Sequence, residues 1–151
     1  MEIKLVKEDD ASKMLEVALK AFAEDAEKYG NPPPEIDTLE WHHPKKYGGI
    51  YYKFILDNEI IGGLRVINKG DGHYYFASAF IVPEHQNKGY GSQVMKFIDQ
   101  EFTNVKKWTL DTPYKSYRNH YFYEKHGFVK YDEVKPSPNH EFKLFLYEKI
   151  M

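Results

Sequence analysis

The stretch "HYYFASAFIVPEHQNKGYGSQVMKFIDQEF" (His73–Phe102) limits the possible folds of this chain more than any other. Its first ten residues are aromatic, small or β-branched, as in a strand. Pro83 ends that run. From Gly89 onward the spacing changes, and Val94, Phe97, Ile98 and Phe102 recur at helical intervals. Between the two lies a turn with Gly89 and Gly91 one residue apart. A strand that enters a helix through such a turn exposes several backbone N–H groups pointing the same way. The helix dipole adds partial positive charge there, and glycine lets a ligand approach the backbone closely. The turn therefore suits a phosphate or pyrophosphate, with Asn87, Lys88, Gly89, Tyr90, Gly91 and Ser92 as donors. An ordinary strand-to-helix turn is the plainer alternative, because glycine punctuates turns of every kind.

The remaining segments supply the frame. "MEIKLVK" alternates as a short strand, with Ile3 and Leu5 on one face. Asp9 or Asp10 can cap a helix over "ASKMLEVALKAFAEDAEKYG", whose apolar stripe is Leu15, Ala18, Leu19, Phe22 and Ala26. Gly30 and "NPPPEID" stop it. Thr38–Gly49 reads equally as a short helix or a loop. "IYYKFIL" and "IIGGLRVI", joined by "DNE", read as a hairpin, and "NKGDG" is a second turn. "KKWTLDT" is a strand, and Ser116–Lys125 a helix ended by Gly127 as a left-handed cap. "FVKYDEV" and "EFKLFLYEK" are final strands joined by "KPSPNH". The order is β-α-loop-β-β-β-α-β-α-β-β, without internal repeat or interdomain linker. A chain of 151 residues, 42% hydrophobic, is expected to form a single domain over 1–151.

Composition excludes several classes. A formal net charge of −2 argues against nucleic acid as a partner. The absence of cysteine removes disulfides, a thiolate nucleophile and cysteine-based zinc sites. No apolar run is long enough to span a bilayer, and "MEIKLVKEDD" holds no signal-peptide core, so a cytoplasmic protein without a membrane partner is expected. Seven histidines without ligand-like spacing point to no metal site.

Three phosphate-binding patterns compete for the glycine turn. A Walker loop requires G-K-[ST], but Gly91 precedes Ser92 and Gln93. A dinucleotide fingerprint requires a third glycine where Val94 stands, although Asp111 ends the next strand near where a ribose-binding acid would sit. The third pattern is an acyl-coenzyme A loop. "IVPEHQNKGYGSQVM" resembles the Q-x-x-G-x-G motif of the GNAT N-acetyltransferase family, with Gln86, Gly89 and Gly91 at its defining positions. "FYEKHGF" (Phe122–Phe128) resembles that family's second common stretch, and the element order resembles its fold. The resemblance implies an α/β (α+β) fold: a mixed, largely antiparallel central sheet with splayed central strands, flanked by helices. It implies acetyl-CoA as cofactor, its pyrophosphate on the turn's amides and its pantetheine arm along the backbone of Phe80, Ile81 and Val82. Gln86 is expected to order the loop, while Lys88 reads equally as a phosphate ligand or a solvated surface lysine.

The same resemblance makes Tyr123 the general acid that protonates the departing thiolate. A phenol, with a pKa of about 10, stays protonated at neutral pH and can donate; a packing tyrosine is the alternative among 13 of them. Asn119, one helical turn earlier, is expected near the cofactor, although relatives carry an asparagine where Ser116 stands. Relatives often place a catalytic carboxylate on the central strand, and "HYYFASAFIV" has none. The base is therefore unassigned: His73 and Glu84 flank the strand, and Tyr74 or Tyr75 could organise a water. The oxyanion is expected at a backbone N–H near Ile81. Glu24, Asp25, Glu27, Glu35, Asp37 and Glu40 could attract a cationic amine, with a solvated face as the favoured alternative. The expectation is an N-acetyltransferase acting by direct ternary-complex transfer on a primary amine of a small molecule or peptide, and a homodimer is compatible with it. A non-catalytic acyl-CoA sensor and a dinucleotide-binding protein are the alternatives.

Overall fold

The computed structural model describes all 151 residues, Met1–Met151. In chain order the elements are β1 (Glu2–Leu5), α1 (Ala11–Ala21), α2 (Ala23–Tyr29), β2 (Ile50–Leu56), β3 (Glu59–Gly70), β4 (His73–Ile81), α3 (Tyr90–Glu101), β5 (Lys107–Pro113), α4 (Tyr117–Lys125), β6 (Val129–Val134) and β7 (Leu144–Ile150). The seven strands hydrogen-bond in the order β1-β2-β3-β4-β5-β7-β6. The pairs β1–β2, β2–β3, β5–β7 and β6–β7 are antiparallel, and β4–β5 is parallel. This is the mixed, largely antiparallel sheet that the family resemblance implies, and it is incompatible with the parallel doubly wound sheet of a dinucleotide fold. No helix is long and apolar enough to cross a membrane. The chain divides into two compact units: Met1–Ile67 with Ala77–Glu101, and Asn68–Phe76 with Phe102–Met151.

In the first unit, Leu56 pairs with Glu59 across Asp57 and Asn58, both at positive φ. That is the left-handed two-residue turn whose twist suits a hairpin, and Asp and Asn adopt it at low cost. The expected single helix is broken at Phe22 (φ −99°, ψ 9°), where its ring packs 5.6 Å from Phe80. The buried face of α1 also differs from expectation. Ala18 is buried as expected, but Met14 and Val17 point inward beside it, while Leu19 is 44% exposed. Both sets satisfy helical spacing, so spacing alone could not choose. A partner chose: Gly63 of β3 leaves room for Met14, whose Cε lies 2.6 Å from where a Cβ on Gly63 would stand.

The segment left open between helix and loop, Thr38–Gly49, is a loop with one 3₁₀ turn at Glu40–His42, and it carries Trp41 and His42 into the interior, just after the buried Ile36. Its anchor is Arg65 of β3, fully buried. The Arg65 guanidinium donates to the carbonyls of Trp41 (2.7 Å), Gly48 (3.0 Å) and His43 (3.4 Å), and stacks on the rings of Tyr51 (4.2 Å) and Trp41 (4.7 Å). Carbonyl dipoles and two π faces thus surround the buried charge. His42 completes the network, with Nε2 at 2.7 Å from the Ile36 carbonyl and Nδ1 at 2.8 Å from the Tyr51 hydroxyl. A carbonyl only accepts, so Nε2 carries the proton and Tyr51 donates to Nδ1. Burial pushes the His42 pKa below 6.5, which favours this neutral ring.

In the second unit, β4 and β5 pair through three residues, His73–Tyr75 opposite Lys107–Thr109. Trp108 anchors the core, with ring centroids 4.7 Å from Phe76, 5.4 Å from Tyr74 and 5.6 Å from Phe102. α4 is held by His120, which is stacked 5.0 Å from Phe145, with its Nε2 at 2.9 Å from the Pro113 carbonyl.

Candidate active site

The glycine turn belongs to the first unit. Asn87 (φ 61°) and Gly89 (φ 85°) are both left-handed. The Gly89 carbonyl accepts the first helical bond, from Gln93 N–H at 3.2 Å. Tyr90, Gly91 and Ser92 therefore form the first turn of α3, the part of a helix whose amides face outward from its end. Left-handed residues just ahead of a helix turn successive amides toward one concavity, the geometry of an anion nest. Asn87, Lys88 and Gly89 are exposed, and Tyr90, Gly91 and Ser92 are half-buried. The Tyr90 ring packs edge-on to His85 at 6.1 Å.

Gln86 ties this turn to the end of β4, its Nε2 donating to the Ile81 carbonyl at 2.9 Å. Phe80 and Val82 are buried and Ile81 is half-buried. The Val82 N–H donates to the Ile61 carbonyl (2.9 Å), and the Phe80 carbonyl faces Gly62 of β3. Since strand groups alternate sides, the N–H and C=O of Ile81 point away from β3. Of the three backbone positions anticipated for a pantetheine arm, Val82 has its amide engaged by β3, and Ile81 presents its own on the other side.

Tyr123 belongs to the second unit, and its placement has a local cause. The Gly127 N–H donates to the Glu124 carbonyl (3.1 Å) and the Phe128 N–H to the Tyr123 carbonyl (3.0 Å), with Gly127 at φ 92°. This is a Schellman cap, which characteristically brings the residue after glycine against the one five positions earlier. The Phe128 and Tyr123 rings meet edge to face at 5.7 Å. "YEKHGF" is thus a helix-ending device that also fixes the Tyr123 ring. The residue as a whole is partly exposed, yet its hydroxyl lies deep. Burial, with help from the Asp111 charge, pushes the Tyr123 phenol up to about 12. Asn119 is exposed and donates to the Thr112 hydroxyl at 3.3 Å.

The residues considered for a base divide. His73 sits at the start of β4 with Nε2 2.6 Å from the Thr109 hydroxyl, and burial beside Lys107 and Lys69 pushes its pKa down. Glu84 is exposed in the 3₁₀ turn Pro83–His85. Tyr75 makes a contact that sequence reasoning did not foresee: its hydroxyl donates to Asp111 Oδ2 at 2.7 Å. Burial and the adjacent Asp111 push the Tyr75 pKa well up.

These buried phenols predict alkaline behaviour. Tyr123 and Tyr147 are both pushed up to about 12, Tyr147 by burial and by its 2.9 Å hydrogen bond to Glu124, and Tyr51 and Tyr75 are raised as well. A folded pKa above the unfolded value of about 10 gives stability that is whole below pH ~10 and is lost as pH rises toward ~12. Thermal melts should hold steady up to pH ~10 and then fall, in step with phenolate absorbance; a Tm unchanged to pH ~12 would contradict this account.

The acetyltransferase (GNAT) domain model matches residues 48–130, a span that holds the glycine turn, Tyr123 and Gly127. The uncharacterized protein YrkN of Bacillus subtilis (strain 168) is 29% identical over 129 residues, 80% of this chain and 68% of that protein. An acetyltransferase from Thermus thermophilus has the same fold, with a TM-score of 0.82 over 99% of this chain and 96% of that one at 15% identity. A GNAT family acetyltransferase from Elizabethkingia anophelis, solved with acetyl-CoA bound, matches with a TM-score of 0.61 over 68% of this chain and 76% of that one at 25% identity. By its glycine turn, its capped tyrosine and the family match that spans both, the chain belongs to the GNAT acetyltransferases.

Proposed function

We propose that the protein moves an acetyl group from acetyl-CoA to a primary amine of a small molecule or peptide by direct transfer within a ternary complex. The observation that carries this reading is the turn ahead of α3. Asn87 and Gly89 are left-handed there, Tyr90–Ser92 form the first turn of α3, and Gln86 braces the turn against β4. The pyrophosphate of acetyl-CoA binds these amides, with Lys88 adding charge. The pantetheine arm runs along Phe80–Val82, where the Ile81 N–H is the group directed away from β3. That N–H also holds the oxyanion formed when the amine adds to the thioester carbonyl. Asn119 supports the cofactor from α4.

Tyr123 serves the leaving group. A phenol near 12 is a weaker acid than a thiol, whose pKa is about 8.5. Its proton stays on oxygen in the ground state and hydrogen-bonds to sulfur as negative charge develops there. Without cysteine the chain cannot form a cysteinyl acyl-enzyme, which favours direct transfer.

Gly89→Val tests the turn. A Cβ at Gly89 meets nothing within 4 Å, so the substitution causes no clash. A β-branched residue at φ 85° is nonetheless strained, and the turn should rearrange. Acetyl-CoA affinity, measured by calorimetry, should fall roughly ten- to a hundredfold while the thermal melt changes little. Unchanged affinity would remove the turn from the site. A wild-type protein that binds acetyl-CoA but acetylates no amine would favour the acyl-CoA sensor instead.

A further inference from the structure

We propose that Asp111 is the catalytic base of the transfer, taking the acceptor's proton at a carboxylate held by Tyr75. This inference rests on the acetyltransferase reading above. All of its residues lie in the second unit, and it fills the role that β4, lacking any acid, leaves open.

Backbone register explains the pair. Tyr75 of β4 stands opposite Thr109 of β5, at the end of the three-residue parallel pairing. Asp111 is two residues further along β5, so its side chain leaves the same face of the strand as Thr109. The Tyr75 phenol spans that offset and donates to Oδ2 at 2.7 Å. A single hydroxyl donor occupies one lone pair of a carboxylate that has about four acceptor positions, so acceptor capacity remains for an ammonium. Asp111 is exposed, which gives its proton a way to solvent.

Other groups define the surroundings. Tyr123 from α4 and Tyr131 from β6 both lie within the field of the Asp111 charge. Leu146 of β7 is the strand partner of Asp111. Lys69 of β3 places its ammonium 5.3 Å from the Tyr75 ring centroid. Glu148 of β7 and Asp132 of β6 act on Tyr131. The carboxylate thus sits among phenols, which suits a primary ammonium: an anion to pair with the charge, and aromatic rings beside it.

The proton balance closes. The ammonium gives one proton to Asp111, and its nitrogen lone pair then adds to the thioester carbonyl carbon, moving the π electrons to oxygen. Collapse reforms the carbonyl and breaks the C–S bond while Tyr123 gives its proton to sulfur. The second proton lost by nitrogen restores Tyr123, and Asp111 releases the first to solvent. The products are the amide, free coenzyme A and one proton.

The test measures coenzyme A release from acetyl-CoA with spermidine, phenethylamine and an alanyl tripeptide. Asp111→Asn should bind acetyl-CoA like the wild type and lose about 100-fold in kcat/KM at neutral pH. Its remaining rate should climb steadily with pH, because the amine must then arrive already deprotonated. Tyr75→Phe should lose less, and the loss should fall on kcat with acetyl-CoA affinity unchanged, because the carboxylate stays but its fixed position is lost. Glu148→Gln, which removes a neighbouring carboxylate, should stay within about twofold of the wild type, since it takes no part in general base catalysis. A wild type that transfers while Asp111→Asn keeps its kcat/KM would overturn this inference alone. A wild type that binds acetyl-CoA and transfers to none of the three amines would overturn the transferase reading, and this inference with it.

Discussion

Tyr123→Phe should leave acetyl-CoA bound and lower kcat by about 10²-fold, the lower part of the range typical of general acid catalysis. The substitution removes one oxygen and keeps the ring. That ring is what the helix cap holds: Phe128 packs on it and the Phe128 N–H closes on the Tyr123 carbonyl, neither of which involves the hydroxyl. Fold and cofactor affinity should therefore survive, and the loss should appear in kcat. Water can reach sulfur and replace the phenol in part, which sets the loss at the low end. The pH profile separates this role from packing. With the phenol pushed up to about 12, the wild-type rate should hold through pH ~10 and decline only beyond it, and the variant should lack that limb. A Tyr123→Phe enzyme with wild-type kcat would make Tyr123 a packing residue.

Gly62→Ala should cost the most stability, about 3–5 kcal/mol. A Cβ on Gly62 would stand 2.1 Å from the Phe80 carbonyl oxygen, 2.9 Å from the Phe54 ring and 3.1 Å from the Ile81 Cα. Two of these three atoms are backbone, so no rotamer change relieves the contact, and β4 must withdraw from β3. Withdrawal strains the Val82–Ile61 hydrogen bond and moves Ile81 and Gln86, which carry the turn. Chemical denaturation should show the lost stability, and calorimetry a weaker hold on acetyl-CoA. A variant within about 1 kcal/mol of wild type would mean that β4 moves freely at this point, contrary to the close packing described here. The comparison with Gly89→Val is informative, because there the cost comes from a backbone angle and here from space.

Local signals carried much of this fold. The strand, the two-glycine turn and α3 follow from adjacent residues, and so does the Schellman cap in "YEKHGF", because its hydrogen bonds close within six residues. The Asp57–Asn58 turn is likewise written in its own two residues. What spacing could not supply was the identity of distant partners. Leu15 and Leu19 fit a helical stripe as well as Met14 and Val17 do, and only Gly63 across the sheet decides between them. Arg65 lies in "IIGGLRVI", which the spacing marks only as a strand, yet its guanidinium reaches 24 positions back to Trp41 and shapes the segment that looked like either helix or loop. Asp111 stood out in the sequence only as a possible ribose ligand. Its hydrogen bond to Tyr75 joins residues 36 apart, and only the parallel register of β4 and β5 brings them together.

The central claim, acetyl transfer to an amine, is tested most directly by incubating the protein with acetyl-CoA and a mixture of primary amines. Free thiol and products are then followed together by mass spectrometry. The account predicts coenzyme A release only when an amine is present, one acetylated amine for each thiol freed, and a rate that rises with both substrates as in a ternary complex. Acetyl-CoA that binds yet stays intact with every amine, or thiol release that proceeds at the same rate without any amine, would contradict it.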